Sequence, residues 1–376
     1  MPTILSTGNL RISPPGVTEI YTSEATYDYL GRPLTVTNPF KTGETPEVIT
    51  YQYDAGGNLA NVLNYAEYSD YNALGQVGKI TFHTGTTTTY GYYPLTNKLE
   101  SVVTTPPPPQ AGKLQDLAYE YDSVGNVKKV TDSTNLQSIL VYEYGYDELD
   151  RLDWANYPSI GQIDHNYDSI GNIIYNSRVG TYSYIGAGPH AVTGAGGETF
   201  EYDSNGNMSG IDVGTAQEKL FEYDAENRLA RFKIKQTDGS YATIQYVYDG
   251  SGQRVKKISS SGGTTIYIGN LELRGTEKTT HYFGGDKRIA TKVGSELYAL
   301  HSDHLGGLNV ADLAGTERQR NTYLPFGEDF QSSGPTNLHH KYTDQEQDPE
   351  TTIGLYYYGA RYYYPKIGRF ISPDSI

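Results

Sequence analysis

The chain of 376 residues contains no cysteine, one tryptophan and fewer basic than acidic residues. The absence of cysteine excludes disulfides, thiolate chemistry and cysteine-ligated zinc. Lysine and arginine number 29 against 44 acidic residues, which gives a net charge of −15. Such a charge argues against partners that are nucleic acids or anionic lipids, because both attract basic surfaces.

Long apolar segments are also missing. No apolar run approaches the ~18 residues that a membrane-spanning helix needs, so we expect no membrane-spanning helix. The start, MPTILSTGNLRISPPG, lacks the basic and apolar regions of a signal peptide. We expect this protein to be secreted or displayed at the cell surface by a route that needs no such peptide, after a stage in the cytoplasm. Tyrosine supplies 37 of the hydrophobic residues. The resulting scarcity of aliphatic side chains favours a thin or hollow β architecture over a solid core.

One motif recurs along most of the chain: tyrosine, aspartate, two variable residues, then glycine and often asparagine. Its clearest copies are YDAGGNL at Tyr53, YDSVGNV at Tyr121, YDSIGNI at Tyr167, YDSNGNM at Tyr202 and YDGSGQR at Tyr248. Further copies begin at Tyr27, Tyr71, Tyr93, Tyr146 and Tyr223, and YSYIGAG in the widest gap looks like a decayed copy.

The motif has the chemistry of a tight turn. Aspartate at the second position can accept backbone hydrogen bonds that start a turn, and the fifth position always holds glycine, asparagine or aspartate, which tolerate a left-handed backbone. We therefore predict that each copy is a β-hairpin with a bulge. The residues assigned to these turns are Tyr53, Asp54, Gly57, Tyr121, Asp122, Gly125, Tyr167, Asp168, Gly171, Tyr202, Asp203, Gly206, Tyr248, Asp249 and Gly252.

The flanks of the turns, such as ITYQYD and LAYEYD, alternate as β-strands do. The predicted fold is therefore all-β, with about ten consecutive hairpins in a coiled antiparallel sheet. TTPPPPQAGK, residues 104–113, interrupts the pattern, and four consecutive prolines predict a surface loop.

The repeats, with GPHAVT at residues 188–193, resemble the YD repeats of the Rhs family, which is related to the C components of insecticidal toxin complexes and to teneurins. HSDHLGGLNVADLAGT, YLPFGE and KYTDQEQDPETTIGLYYYGARYYYPKIGRFISPD resemble, in order, the Rhs-associated core domain. The resemblance implies a β-shell around a cavity, plugged by the core. It also implies a toxin domain encoded after the core and an aspartyl autoprotease that releases this toxin. We predict a repeat region at 1–264 and a core domain, truncated before the autocleavage site, at 265–376.

The C-terminus departs from the family pattern. Tyr364 stands where the family has aspartate, and Ser375 stands where it has proline. The sequence ends at Ile376, before the family's second acidic residue and cleavage sequence. The resemblance therefore maps only Asp374 to a proposed autoproteolytic carboxylate. Paired carboxylates work because one holds a proton while the other does not, so we expect no self-cleavage, and enzymatic activity stays uncertain.

The pattern His301-x-x-His304 around Asp303 has the look of a metal site. The spacing is unremarkable for a turn, and the Rhs family has a similar sequence that is not known for a metal. We therefore expect no metal and no cofactor.

Arg361 and Arg369 are predicted to pair with Asp374 or Asp348 and so to fix the core domain. The core-domain residues assigned structural roles are His301, Asp303, His304, Pro325, Gly327, Arg361 and Arg369.

The leading functional hypothesis is a non-catalytic shell that encapsulates a toxin, whose partners are the cargo domain and a delivery apparatus. Two alternatives share the fold: a cell-surface adhesion module that binds a protein or glycan, and a truncated autoprotease. A wall-binding protein that stacks on sugars is disfavoured, because such repeats depend on tryptophan and Trp154 is the only one.

Overall fold

The computed structural model describes residues 6–12, 20–334 and 338–374, and β-strands make up most of it. The first twelve strands are β1 (Ser6–Ile12), β2 (Tyr21–Tyr27), β3 (Pro33–Thr37), β4 (Phe40–Lys41), β5 (Val48–Tyr53), β6 (Leu59–Val62), β7 (Ala66–Ser69), β8 (Lys79–Phe82), β9 (Thr87–Tyr92), β10 (Leu99–Thr105), β11 (Gln115–Tyr121) and β12 (Val127–Asp132). The next twelve are β13 (Leu140–Tyr146), β14 (Leu152–Tyr157), β15 (Gly161–Tyr167), β16 (Ile173–Asn176), β17 (Gly180–Thr181), β18 (Gly194–Ala195), β19 (Glu198–Tyr202), β20 (Met208–Ile211), β21 (Lys219–Tyr223), β22 (Leu229–Lys235), β23 (Tyr241–Tyr248) and β24 (Arg254–Ser259).

The remaining strands are β25 (Gly263–Ile268), β26 (Leu271–Arg274), β27 (Glu277–Gly284), β28 (Lys287–Val293), β29 (Glu296–Ser302), β30 (Leu308–Leu313), β31 (Thr316–Tyr323), β32 (Asp329–Ser333), β33 (Glu346–Asp348), β34 (Leu355–Tyr357), β35 (Tyr362–Tyr364) and β36 (Arg369–Phe370). The helical content of the described residues is limited to three short 3₁₀ segments, Tyr342–Asp344, Pro349–Thr351 and Pro365–Ile367. No helix in this part of the chain is long and apolar enough to cross a membrane.

The strands belong to two compact units. Unit 1 comprises Met1–Asp116, Thr264–Arg320 and Ser333–Thr336, and unit 2 comprises Leu117–Gly263, Asn321–Ser332 and Asn337–Ile376. In unit 1, β5 to β10 and β25 to β31 pair antiparallel in chain order. The predicted antiparallel hairpin fold is confirmed, whereas the predicted boundary after residue 264 stays a prediction.

Unit 2 contains two further runs of hairpins. Strands β11 to β17 and β18 to β24 also pair antiparallel in chain order. Strands β33 to β36 form a separate four-stranded sheet. Unit 2 therefore joins repeat hairpins to the C-terminal segment, which we define as residues 338–374.

The repeat turns have the predicted geometry. In the turn after β5, the N–H of Gly57 donates to the carbonyl of Asp54, and the N–H of Asp54 donates to the carbonyl of Asn58. The ladder shifts register at Tyr53, which is the bulge. All ten fifth positions have positive φ, from 54° at Asn97 to 109° at Gly125. Glycine, asparagine and aspartate recur there because the turn requires a left-handed residue.

Tyrosine recurs because its hydroxyl ties one hairpin to the hairpin before it. The hydroxyl of Tyr167 donates to the carbonyl of Leu152 at 2.8 Å, and Leu152 is the first strand residue after the preceding turn. Equivalent bonds of 2.6 to 3.0 Å join Tyr53 to Pro33, Tyr71 to Leu59, Tyr92 to Val77, Tyr146 to Val127, Tyr184 to Ile173, Tyr202 to Val192, Tyr223 to Met208 and Tyr248 to Leu229. We call this series the tyrosine ladder. The decayed copy YSYIGAG contributes Tyr184 to it.

The sixth motif position links neighbouring turns. Arg151 donates through Nε to Asp147 of its own turn at 2.7 Å and through Nη1 to the carbonyl of Asp168 in the next turn at 3.3 Å. Its guanidinium lies 4.5 Å from the ring centroid of Tyr167. Asparagine plays the same part elsewhere, since Asn126 donates to both Asp122 and Asp150.

Each unit has its own apolar core. In unit 1, buried side chains of β5 to β8, such as Ile49 and Phe82, cluster with Tyr282 and Ile289 of β27 and β28. In unit 2, buried residues of the hairpins, such as Phe232 of β22, cluster with the C-terminal segment. The members from that segment are Leu355, Tyr362, Tyr364, Ile367 and Ile371.

The tyrosine ladder predicts a specific cost for removing one hydroxyl. Tyr167→Phe keeps the ring but leaves the carbonyl of Leu152 without this donor, so we expect the free energy of unfolding to fall by about 1 kcal/mol. Tyr29→Phe is the matched control, because Tyr29 is 69% exposed. Urea unfolding followed by fluorescence measures both, and equal stability of the two variants would contradict the role of the hydroxyl.

The turn aspartates predict a dependence on pH. The side-chain amide and backbone N–H of Asn58 donate to the carboxylate of Asp54 and hold its pKa below the ordinary value. A lowered pKa stabilises the fold above the unfolded-state pKa of about 3.9, and this contribution is lost as the pH falls through the folded-state pKa. We therefore expect Asp54→Asn to be less stable than wild type at pH 7 and to lose this difference at the acid end of the titration.

Urea titrations of both proteins at several pH values would measure that difference. Asn72 occupies the same turn position naturally and accepts the N–H groups of Leu74 and Gln76, so asparagine is compatible with the turn. A stability difference between wild type and variant that is constant with pH would rule out the carboxylate as its source.

Candidate functional site at the C-terminal segment

The C-terminal segment contains the tyrosine-rich sequence LYYYGARYYYP at residues 355–365. Alternation along β35 buries Tyr362 and Tyr364, whereas Tyr363 lies between them on the other face and donates to the carbonyl of Phe326 at 2.9 Å. Tyr364 donates to Glu198 at 2.9 Å, and the ammonium of Lys366 lies 3.0 Å from the same carboxylate. The segment is thus fixed to unit 2 by both faces of its small sheet.

A buried ion network attaches β33 to β24. Its members, Arg254, Lys257, Glu346, Asp348 and Glu350, all belong to unit 2. Asp348 lies 2.8 Å from Nη1 of Arg254 and 2.8 Å from Nζ of Lys257, and its side chain has no exposed surface. Arg254 also pairs with Glu346, and Lys257 lies 3.0 Å from Glu350.

Tyrosines complete the surroundings of Arg254. Its guanidinium donates to the hydroxyl of Tyr362 at 3.1 Å and lies 4.3 Å from the ring centroid of Tyr357. The backbone N–H of Arg254 donates to the Tyr357 hydroxyl oxygen at 3.0 Å. The planar guanidinium therefore combines carboxylate pairing, hydrogen bonding and cation–π contact in a single buried position.

The pKa values of Asp348 and Lys257 are both shifted in the direction that favours the charged form. Burial acts to raise the pKa of Asp348, but the positive charges of Arg254 and Lys257 outweigh it, so the pKa lies below its ordinary value. Burial acts to lower the pKa of Lys257, but Asp348 and Glu346 outweigh it and raise the pKa. Because ions in such a position are costly without partners, each depends on the others for its burial.

Asp374, the predicted autoproteolytic residue, lies at the end of the described chain. Its carboxylate is 3.2 Å from Nη2 of Arg361, and its side chain is 76% exposed. It lines a cavity of about 340 Å³ in unit 2, together with Asn207, Glu226 and Asn227 of the repeat turns. Among the described residues of unit 2, Asp374 forms an ion pair with Arg361 alone. Ser375 and Ile376 lie outside the described residues, and the catalytic role of Asp374 stays a prediction.

The other predicted pairings are rearranged. Asp348 pairs with Arg254 and Lys257 rather than with Arg361 or Arg369. Arg369 instead donates to the hydroxyl of Tyr184 at 3.0 Å and to the side chain of Asn172 at 3.3 Å.

Pro325 and Gly327 form a turn under the C-terminal segment. The hydroxyl of Tyr342 donates to the carbonyl of Pro325 at 3.1 Å. Gly327 has a φ of 89°, and a Cβ there would lie 2.5 Å from the ring of Tyr342. Both residues therefore contact Tyr342 of the C-terminal segment.

His301 and His304 do not converge. His301 is buried in unit 1, where Nε2 lies 2.7 Å from Asp312 and Nδ1 lies 3.3 Å from the hydroxyl of Thr88. His304 is exposed on the turn that follows Asp303, whose carboxylate accepts the N–H groups of Leu305 and Gly307. The two histidines therefore occupy separate environments.

The sequence analysis does not predict Arg254 and Lys257 as members of an ion network, although the sequence carries a signal for them. The seventh and tenth motif positions are apolar in most repeats, for example Leu229 and Phe232, which are both buried. In the copy that begins at Tyr248 these positions hold Arg254 and Lys257. Two charges at core positions of one repeat indicate that acidic partners come from elsewhere in the chain.

Comparison with known proteins identifies the family of this chain. The family model described as Teneurin YD-shell matches residues 110–376, which is more than half of the chain. The chain belongs to the teneurin YD-shell family. The predicted membership among YD-repeat proteins is confirmed.

This YD-shell chain is similar to a toxin subunit and to a nuclease over much of its length. Toxin subunit YenC1 of Yersinia entomophaga is 26% identical over an alignment 386 positions long, gaps included, which covers 80% of this chain and 39% of that protein. The tRNA3(Ser)-specific nuclease WapA of Bacillus spizizenii is 25% identical over 247 residues, which cover 61% of this chain and 10% of that protein. The YD-shell chain thus spans well under half of these relatives.

Solved structures share the fold. The crystal structure of TcdB2-TccC3 superposes with a TM-score of 0.75 at 20% identity, covering 97% of the YD-shell chain and 22% of the solved chain. The Photorhabdus luminescens Tc holotoxin pore gives the same TM-score at 20% identity, with coverages of 95% and 20%. At this identity the likeness supports the fold of the YD-shell chain.

The ion network predicts that the YD-shell fold depends on Asp348 far more than on Asp374. Asp348→Asn leaves Arg254 and Lys257 buried with one negative charge fewer, so we expect the free energy of unfolding to fall by about 3–5 kcal/mol. Asp374→Asn removes an exposed pair and should change it by less than about 1 kcal/mol. Urea unfolding and limited proteolysis of residues 338–374 would measure both, and equal effects would refute the assignment.

Proposed function

We propose that this chain is the non-catalytic wall of a YD shell that encapsulates a toxin polypeptide. The observation that carries the proposal is the family match over residues 110–376, which includes the buried ion network that fixes the C-terminal segment. The similarity to toxin subunit YenC1 supports a toxin as the cargo. We propose that the protein is secreted or displayed at the cell surface with this cargo and reaches its destination through a delivery apparatus.

The polar side chains support a scaffold rather than a catalyst. His301 is buried against Asp312, Asp348 is enclosed by two basic groups, and Asp374 pairs with Arg361. Each of these groups already has a structural partner. A scaffold that holds a polypeptide needs such fixed contacts, because binding to a rigid wall costs less conformational entropy than binding to a mobile one.

The tyrosine ladder supports the same function. Because each hairpin is bonded to the preceding one, the wall resists opening between repeats, and an enclosed chain would be shielded from proteases. The C-terminal segment, anchored by the ion network, would hold the cargo at a defined place on that wall.

Protease protection in the natural assembly tests this function. The assembly would be isolated from its source cells without denaturation, weighed by native mass spectrometry, and treated with a broad-specificity protease before and after unfolding. We expect a cargo polypeptide of defined mass that resists digestion only in the native assembly. Asp348→Asn should remove this resistance, whereas the matched control Asp374→Asn should retain it.

A different result would identify the competing function. If the native protein carries no protected polypeptide and instead binds intact cells when added to them, the chain is a surface-adhesion module. If digestion is equally fast with and without unfolding, the encapsulation proposal fails.

A further inference from the structure

Three successive turns in unit 2 carry an exposed aliphatic residue at the same motif position. The fourth positions of the copies that begin at Tyr121 and Tyr146 are Val124 and Leu149, each 70% exposed. The fourth position of the next copy is Ile170, which is 55% exposed. We call Val124, Leu149 and Ile170 the apolar tip row.

The tips form a row because their turns touch. Asn126 of the first turn donates to Asp150 of the second at 3.0 Å, and Arg151 of the second donates to the carbonyl of Asp168 in the third at 3.3 Å. Each hairpin contributes two strands about 4.8 Å apart, so neighbouring tips lie about 10 Å from each other. The row therefore presents three aliphatic side chains at regular intervals along one edge.

The turn itself does not require aliphatic residues there. The next three motif copies have the same hairpin geometry with Asn205, Glu226 and Ser251 at the fourth position. These polar tips line the cavity beside Asp374. Because the turn needs only its aspartate and its left-handed fifth residue, the aliphatic tips of the earlier copies call for another explanation than turn stability. Adjacent exposed apolar residues are typical of interaction surfaces.

The charge around the apolar tip row decides which partner it fits. Residues 122–125, 147–151 and 168–171 include five acidic residues and one arginine, a net charge of −4. A second copy of this chain would bring another negative edge against the first, and anionic lipid would be repelled in the same way. A cationic partner is favoured, because complementary charge speeds association and discriminates against other partners.

The spacing favours a helix over a strand. A helix advances about 10.5 Å in seven residues, so apolar side chains at every seventh position match the tips. A strand covers about 10 Å in three residues, but residues three apart point to opposite faces and could not all reach the row.

We infer that the apolar tip row docks a cationic amphipathic helix of a partner protein. The helix places an aliphatic residue at every seventh position against Val124, Leu149 and Ile170, and its basic residues lie beside the turn carboxylates. This interaction is independent of the encapsulated cargo, since it uses turn tips rather than the C-terminal segment.

Fluorescence anisotropy with labelled synthetic helices tests the inference on the full chain. The probe has leucine at every seventh position among lysine and alanine. One comparison peptide replaces its leucines by alanine, and another replaces its lysines by glutamate. We expect the probe to bind, and the double variant Leu149→Ser/Ile170→Ser to weaken this binding by at least about tenfold, because two apolar contacts are lost.

Leu136→Ser is the matched control, since Leu136 is 78% exposed in unit 2 but lies outside the apolar tip row. It should bind the probe as wild type does. Equal binding of the lysine probe with and without leucine, or equal binding to wild type and the double variant, would overturn the proposal. Concentration-dependent self-association of the wild type in sedimentation that the double variant lacks would overturn it too, because the row would then be a contact between copies.

Discussion

The hydrogen bond from a tyrosine hydroxyl to the backbone carbonyl of the preceding hairpin is the interaction on which the repeat architecture depends. Strand pairing alone would join neighbouring hairpins through backbone atoms that any sequence supplies. The hydroxyl adds a contact that only the right side chain in the right register can make, as with Tyr167 and the carbonyl of Leu152. Phenylalanine would fill the same space, so the sequence preference for tyrosine reflects the bond rather than the ring.

The bond also explains why the fifth motif position is so restricted. A left-handed residue reverses the chain within four residues, which brings the seventh residue back beside its own tyrosine and leaves its carbonyl open to the next one. The turn aspartate stabilises this geometry. The arginine or asparagine at the sixth position also forms a hydrogen bond to the next turn, as Arg151 does. Tyrosine, aspartate and the left-handed residue thus act as one unit, which is why they recur together.

The same architecture accounts for the way the C-terminal segment is held. In the copy that begins at Tyr248, Arg254 and Lys257 occupy two core positions that are apolar in most other copies. Burial of these two charges would be strongly destabilising without partners. Glu346 and Asp348 supply those partners from β33. An apolar contact at this place would tolerate many segments, whereas two buried cations accept only a segment that presents acidic groups in the matching positions. We interpret the network as the feature that selects the correct segment and register.

Much of the fold could be predicted from the sequence, because the hairpins are local. The turns, the left-handed fifth positions such as Asn97 and Asp150, and the loop around the prolines follow from residues a few positions apart. The pairing within the ion network could not be predicted, because Arg254 and Asp348 are 94 residues apart and nothing local shows which acidic residue is the partner. The sequence analysis names Arg361 and Arg369 as partners of Asp374 or Asp348. The structure instead uses the two basic residues that are already buried and have the greater need of a counter-charge.

The fourth motif position has a side chain that the turn does not require. Its side chain takes no part in the tyrosine ladder and none in the left-handed turn, so this side chain can vary without loss of the hairpin fold. Along unit 2 it is aliphatic at Val124, Leu149 and Ile170 and polar at Asn205, Glu226 and Ser251, where the turns approach the end of the C-terminal segment. A repeat that fixes the tyrosine, the aspartate and the left-handed residue for structure and exposes the fourth position can therefore carry different surfaces on the same edge. This separation lets hairpins built from one motif present polar tips beside the C-terminal segment and aliphatic tips elsewhere along unit 2.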